Sequence, residues 1–277
     1  MTGQPVVVKF GGELLEQPDR LETVVTAMSH VAKRTPLVPL VIVHGGGKEI
    51  DAALKVAGIE KRQVDGLRIT DAATLDVVVG VLAGSVNTRL TAALGAAGLK
   101  AVGLTGADGW CGLSDVAPPH RSVDGRTIDL GRVGVPSPAA DVRVVRTLLD
   151  GGFVPVVASI GVTAEGRLLN VNADTFAGRL AERLDAKRLV VAGTTAGVLD
   201  DRGATVAVLE APDIQRLIGG GTATAGMIAK LRACEEALAN GVGDVIIVDG
   251  RDAAALEAAV LDRAPSKATR IELGVRS

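Results

Sequence analysis

Two lysines, two glycine clusters, one arginine and a short run of amides ending in a carboxylate are the residues of this 277-residue chain whose types and spacing could do chemistry. Lys9 lies near the end of the apolar run VVVKF, which passes straight into Gly11 and Gly12. A second apolar run, VIVH, passes into Gly45, Gly46 and Gly47 and then into a helical pattern. Glycines at strand-to-helix turns let bare backbone amides approach an anion, and a helix N-terminus adds its dipole. Ligands of open α/β sheets collect at that carboxyl edge of the strands. Two such turns point to a phosphate or carboxylate site, although either one alone serves equally well as a tight connection. Asn170, Asn172 and Asp174 precede the helical run FAGRLAERL. Such residues are ordinary N-caps, yet three exceed what one cap requires. Arg68, in VDGLRIT, carries the planar guanidinium that clamps a carboxylate, and Lys230 follows a glycine-rich stretch at 219–221. A lone helical lysine is ordinarily a solvated charge, so Lys230 gains meaning only from its companions.

Several chemistries are disfavoured. Gly47 and Lys48 are followed by Glu49, and no glycine stands where a P-loop needs its first one; nor does a GxGxxG follow any apolar run. Cys111 and Cys234, with His30, His44 and His120, have no spacing suited to a zinc site or a disulfide framework, so no protein metal site is expected. The net charge of −2 implies no polybasic surface for nucleic acid or anionic lipid. With no Tyr, three Phe and one Trp, base stacking on single strands is unavailable, and the core must be aliphatic. The start of the chain lacks a signal-peptide pattern, and no apolar run approaches the roughly 18 residues of a membrane span. The expected compartment is the cytoplasm, with no membrane and no nucleic acid as partners.

The elements that must position these residues follow from periodicity. Apolar runs at 5–10, 39–43, 100–105, 153–159, 188–193 and 244–250 show no alternation, which predicts strands buried on both faces of a mostly parallel sheet. Between them, Leu21, Val24, Val25, Met28 and Val31 share one helical face, with Asp19 as the expected N-cap. A long helix is expected after a capping Thr70 or Asp71, bent near Gly80 or Gly84. Strand and helix alternate, so the class is α/β. From 108 to 138 a ribbon of short strands is expected, with a hairpin at Asp124 and Gly125. The chain has no internal repeat, and the composition at 184–187 permits a lobe boundary before the run at 188.

In this order, the motifs VKFGG, VIVHGGG, VDGLRIT, PVVASIGVTAEGRLLNVNAD and GMIAK span residues 6 to about 230. Together they resemble the amino acid kinase family, and within it the members that phosphorylate N-acetylglutamate. The resemblance implies a three-layer αβα sandwich, with residues 1–187 holding the acyl-amino acid and the dimer contact and residues 188–277 holding ATP. It implies that Lys9 and Lys230 neutralise the transferring phosphoryl group, with Asp174 orienting both. Gly11, Gly12 and Gly45 would give amides to phosphate, Gly46 and Gly47 to the reacting carboxylate. Arg68 would pair with the substrate α-carboxylate, and Asn170 would hydrogen-bond the bound amino acid. Thr194, Gly197, Leu199 and Met227 would border the nucleotide, and Mg²⁺ would ride mainly on the ATP phosphates.

The chain departs from the family pattern at Lys48, Ala107 and Ala225. Because a strand begins almost at once, the N-terminal helix of hexameric, arginine-inhibited relatives is expected to be missing, giving a homodimer with weak or no arginine feedback. A longer N-acylated aminoadipate, possible on a carrier protein, is the nearest alternative substrate, since one methylene is worth only about 1 to 3 kcal/mol in discrimination. A non-catalytic ligand sensor of the same fold is an alternative of another class. Both lysines and Asp174 weigh against it.

Overall fold

The structure is a computed structural model that describes residues 3–34, 38–122, 124–219, 225–261, 265 and 267–273, of which 218, 219 and 225 are described by their backbone alone. The glycine-rich stretch ahead of Lys230, apart from Gly219, and the side chain of Ala225 lie outside the described residues.

In chain order, β1 (Val6–Phe10), α1 (Pro18–Ala32), β2 (Leu40–His44) and α2 (Gly47–Val56) lead to a small hairpin of β3 (Gln63–Val64) and β4 (Leu67–Arg68). A long helix follows, made of α3 (Ala72–Val79), a π-helical segment Gly80–Val86 and α4 (Asn87–Ala96), and then β5 (Ala101–Thr105). The ribbon region forms β6 (Ser114–Val116), β7 (His120–Arg121), β8 (Thr127–Ile128) and β9 (Val133–Pro136), before α5 (Arg143–Asp150) and β10 (Val154–Ala158). Next come β11 (Ile160–Val162), β12 (Leu168–Val171), α6 (Ala173–Arg183), β13 (Arg188–Gly193), β14 (Val208–Glu210) and α7 (Ala211–Gly219). The chain closes with α8 (Ala225–Ala239), β15 (Val245–Asp249), α9 (Ala253–Val260) and β16 (Ala268–Glu272).

Eight strands form one sheet in the order β14, β16, β15, β13, β1, β2, β10, β5. The six apolar runs of the sequence are its six contiguous parallel strands, from β15 across to β5. Burial on both faces explains why they lack alternation: Val6, Val8 and Phe10 of β1 join a core beneath α1, α4 and α9, while Val7 joins the opposite core beneath α5, α6 and α8. Helices on both faces make the expected three-layer αβα sandwich. The remaining two strands escape the pattern. β16 runs antiparallel to β15 and carries β14 at the edge, and β16 alternates buried and exposed residues from Thr269 to Glu272. A second, four-stranded sheet, β11, β12, β9, β6, stands beside the main one. The β7 and β8 hairpin pairs His120 with Ile128, around the turn that contains Asp124 and Gly125.

Two local expectations are refined. The cap of α1 is Gln17 rather than Asp19, because Pro18 occupies the first helical position, where its missing N–H costs nothing and its φ is already helical. The cap of α3 is Asp71, whose Oδ1 accepts from Thr74 N at 2.8 Å. Against the expectation that no segment approaches a membrane span, the helix Ala72–Ala96 is by length and composition long and apolar enough to cross a bilayer. Its residues Leu75, Val78, Leu82, Val86, Leu90 and Leu94 are buried against the fold, which accounts for its apolar side.

Arg188 opens β13 with its side chain buried, donating to the Asp244 carboxylate at 2.8 Å and to Ala259 O at 2.8 Å. Arg188→Ala leaves both acceptors short of their main donor, and urea unfolding should show a loss of about 3 kcal/mol, with turnover at saturating substrate unchanged.

Candidate active site

β1 and β2 are hydrogen-bonded neighbours, so their two glycine turns emerge side by side at the carboxyl edge. They touch: a Cβ on Gly12 would stand 2.7 Å from Gly46 Cα, and one on Gly46 would stand 2.8 Å from a Leu82 methyl. The backbone contact requires glycine at Gly12, while a side chain at Gly46 would have to displace the buried Leu82. Gly46 caps α2, so the first amides of that helix face the same space. A cavity of about 390 Å³ opens there, lined by Lys9, the glycines 11, 12 and 45–47, Arg68, Asn170 and Asp174. Lys9 and Asp174, 165 positions apart in sequence, thus meet at one sheet edge, and Asn172 caps α6 by accepting from Asp174 N and Thr175 N. Its role as a cap is the ordinary one; Asp174, in the first turn, is left to face the cavity.

The charges of the site are buried together. Lys9 Nζ lies 2.8 Å from Asp174 Oδ1, both side chains being about nine-tenths covered. Burial works to lower the Lys9 pKa, but the Asp174 carboxylate outweighs it and holds the ammonium above its usual value. Burial likewise works to raise Asp174, and Lys9 and Lys230 together pull it below the usual carboxylate range. Lys230 is treated differently: burial, and then the Lys9 charge, leave its pKa below the ordinary lysine value, with Asp174 only partly compensating. One carboxylate cannot satisfy two ammonium groups, and the surplus positive charge is what an incoming polyanion would relieve. Lys230 reaches this place because α8 lies close on α6, where a Cβ on Gly178 would stand 3.3 Å from Ala233 O. Its Nζ sits over the end of β13, 3.2 Å from where a Gly193 Cβ would be.

On the other side of the cavity the β3 and β4 hairpin turns through Asp65 and Gly66, both at positive φ, and presents Arg68. One guanidinium nitrogen, Nη2, donates to Asp51 Oδ1 at 2.6 Å and to Gly47 O at 3.3 Å. The other, Nη1, is buried without a hydrogen-bond partner. A buried unpaired donor is costly, and one on a positioned guanidinium is ready to donate to a carboxylate. Asn170 Nδ2 donates to Thr70 Oγ1 at 3.1 Å.

The residues expected beside a nucleotide are placed apart from this cavity. Thr194 follows β13, Leu199 is exposed, Met227 packs on the core beneath α8, and none of them lines the cavity. Gly197 has φ +75°, and a Cβ there would meet Thr269 Oγ1 at 2.5 Å, so its backbone alone demands glycine. Lys48 is exposed in the first turn of α2. Three further residues belong to the site that sequence reasoning did not single out. Glu13 lines the cavity with its carboxylate packed over Gly11, and buried Ser159 lines it from the end of β10. Each follows a legible strand end by one or three residues, which was the available signal. His44, the third, is wholly buried next to the glycine turn.

The sequence model of the amino acid kinase family matches residues 4–249. The chain belongs to the amino acid kinase family. It is 42% identical over 255 residues to the acetylglutamate kinase of Acidiphilium cryptum, a match covering 90% of this chain and 84% of that one. It is 40% identical, with the same coverage, to the acetylglutamate kinase of Granulibacter bethesdensis. Among solved structures, smu.665 of Streptococcus mutans superposes with a TM-score of 0.75 at 29% identity, covering 88% of this chain and 94% of that one.

Burial, chiefly, and then the Arg89 charge push the His44 imidazole from its ordinary 6.5 down to about 4, while its bond to Gly45 O works the other way. The native state therefore refuses a proton that the unfolded chain accepts, and the stability His44 contributes is whole above pH 6.5 and lost as pH falls toward 4. Between pH 7.5 and 5 the wild type should lose roughly 2 kcal/mol more than His44→Asn in urea unfolding. Equal losses would contradict the buried neutral imidazole.

Proposed function

We propose that this chain transfers the γ-phosphoryl group of ATP to the side-chain carboxylate of N-acetyl-L-glutamate, giving N-acetyl-L-glutamyl 5-phosphate and ADP in arginine biosynthesis. The observation that carries the reading is one cavity lined by Lys9, whose partner Asp174 also feels the charge of Lys230 behind it, and by Arg68 with its buried, unpartnered Nη1. It offers separate places for a phosphoryl group and for a carboxylate.

A side-chain carboxylate has an ordinary pKa of about 4.3, so the nucleophile is ionised at neutral pH and needs no general base. The reaction's difficulty is the approach of two anions, and its remedy is fixed positive charge and oriented donors. Lys9 and Lys230 would stabilise the oxygens of the transferring group, and Asp174 would hold both lysines in place. Amides of Gly11, Gly12 and Gly45 would receive phosphate oxygens, and those of Gly46 and Gly47 the attacking carboxylate. Arg68 would take the α-carboxylate through Nη1, with Nη2 already fixed by Asp51. Asn170 would hydrogen-bond the bound amino acid. Thr194, Gly197, Leu199 and Met227 would border the nucleotide from the end of β13 and from α8, so that residues 1–187 serve the acyl-amino acid and 188–277 serve ATP. Mg²⁺, held mainly by the nucleotide phosphates, would supply further neutralisation. Glu13 is the cavity carboxylate outside the Lys9–Asp174 pair. The protein would work as a cytoplasmic homodimer.

Hydroxylamine trapping tests the reaction. With ATP and Mg²⁺, N-acetylglutamate should yield hydroxamate, and more than N-acetylaminoadipate does; none from either acid would overturn the reading. Lys9→Ala and Lys230→Ala should each lower turnover about a hundred- to thousandfold. Arg68→Lys, which loses the forked geometry, should raise KM for the acyl-amino acid.

A further inference from the structure

The residues flanking both glycine turns are held by one stretch of helix that no motif of the sequence marked. Asn87 opens α4, buried, and its Nδ2 donates to Val156 O at 2.8 Å and to His44 Nε2 at 3.0 Å. The other ring nitrogen, Nδ1, donates to Gly45 O at 3.1 Å, so the network assigns His44 as the neutral Nδ1–H tautomer, locked against the first residue of the glycine turn. Two residues on, Arg89 Nη2 donates to the Glu49 carboxylate, in the first turn of α2, and to Leu15 O at 3.2 Å, just past the Gly11 and Gly12 turn. Leu82 and Val86 lie directly beneath Gly46. Side chains of one stretch of helix therefore reach Gly46 directly and the residues flanking both turns, His44 and Glu49 at the second and Leu15 at the first.

The π-helical segment Gly80–Val86 makes this possible. A π turn holds about one residue more than an α turn and so rotates whatever follows by roughly 100° relative to an uninterrupted α-helix. Asn87 and Arg89 come immediately after it, in the phase that meets β2 and α2. The irregular segment costs hydrogen-bond geometry within the helix, and its product is this contact. Close packing supports it from below, because a Cβ on Gly103 would stand 2.2 Å from Asn87 Oδ1.

We propose that the first turn of α4, through Asn87 and Arg89, is the positioning element that sets the two glycine turns against each other for phosphoryl transfer. The claim rests on the functional reading above for its kinetic part. Neither residue lines the cavity, so each acts through the turns and not on substrate. Arg68 and Asn170, which would hold the acyl-amino acid, have their own anchors in Asp51 at 2.6 Å and Thr70 at 3.1 Å, and Arg68 meets the second turn only through the longer bond to Gly47 O at 3.3 Å. Loosening the clamp should therefore disturb transition-state stabilisation and spare binding of the acid.

Two measurements on the full chain separate this inference from the reaction it serves. In steady-state kinetics Arg89→Met should lower kcat about tenfold or more, as small misplacement of catalytic groups does. KM for N-acetylglutamate should stay within about twofold. In amide hydrogen exchange, which needs no turnover, the same variant should speed exchange about tenfold at Gly12 and at Gly46 or Gly47 together, without change in the core strands. Asn87→Ala should do the same at 45–47, and Thr88→Ala, on the exposed side between them, should change neither readout. Unchanged kcat with unchanged exchange, or a KM rise matching the kcat loss, overturns the clamp. Hydroxamate missing from the wild type overturns the functional reading instead, and the exchange pattern alone then decides the clamp.

Discussion

Lys9 and Asp174 face each other at 2.8 Å with both side chains buried, and the charge of a second ammonium, Lys230, acts on the same carboxylate. A buried charge is tolerable only when paired, and a cluster of two positive charges on one negative is left with a net appetite for anion. Everything that builds the site serves to keep that imbalance in place. β1 delivers Lys9 as a central strand with both neighbours parallel, α6 delivers Asp174 in a first turn already capped by Asn172, and α8 delivers Lys230 across a close helix contact at Gly178. Movement of any one of the three would leave a bare charge in the interior. The geometry is therefore coupled to the stability of the fold, which is a way to preorganise a site for a polyanion.

The glycines solve the complementary problem of bringing backbone amides where side chains would intrude. At Gly12 a side chain would run into the Gly46 backbone, and at Gly46 into Leu82 and Val86, so the need for glycine is steric rather than a matter of loop flexibility. The family membership and the 40% identity to acetylglutamate kinases fit this arrangement, because the chemistry of acyl phosphate formation asks for charge and amides and asks little of a base. A chain with three histidines, one of them buried and neutral, carries no handicap for that reaction.

Much of this was legible before the structure. The six parallel strands could be read because burial on both faces leaves an unbroken apolar run, and the positions of Lys9, Gly12, Gly46 and Asp174 could be read because each stands at the end of such a run or the start of a helix. The edge strands β14 and β16 were illegible, since a short edge strand half-covered by neighbours carries no comparable signal. The first helix's cap was misread at Asp19 because the proline at 18 decides the start. Glu13, His44, Asn87 and Arg89 show why a site exceeds its motifs: their roles depend on which elements the sheet order brings together and on the phase of a π-helical segment, neither of which periodicity encodes. Gly197 is the converse case, where a motif residue has a sufficient reason in its own backbone and its contact with Thr269.

The central claim is that the surplus charge of Lys9 and Lys230, together with the facing amides of the two glycine turns, is complementary to the transferring phosphoryl group. A crystal structure with N-acetylglutamate, ADP, Mg²⁺ and aluminium fluoride as the phosphoryl mimic tests it most directly. The account predicts fluoride ligands within hydrogen-bonding distance of Lys9 Nζ, Lys230 Nζ and the amides of Gly12 and Gly46, with the acid's α-carboxylate on Arg68 Nη1. A mimic seated elsewhere, with Lys9 still paired to Asp174 alone and the glycine amides uncontacted, would contradict it.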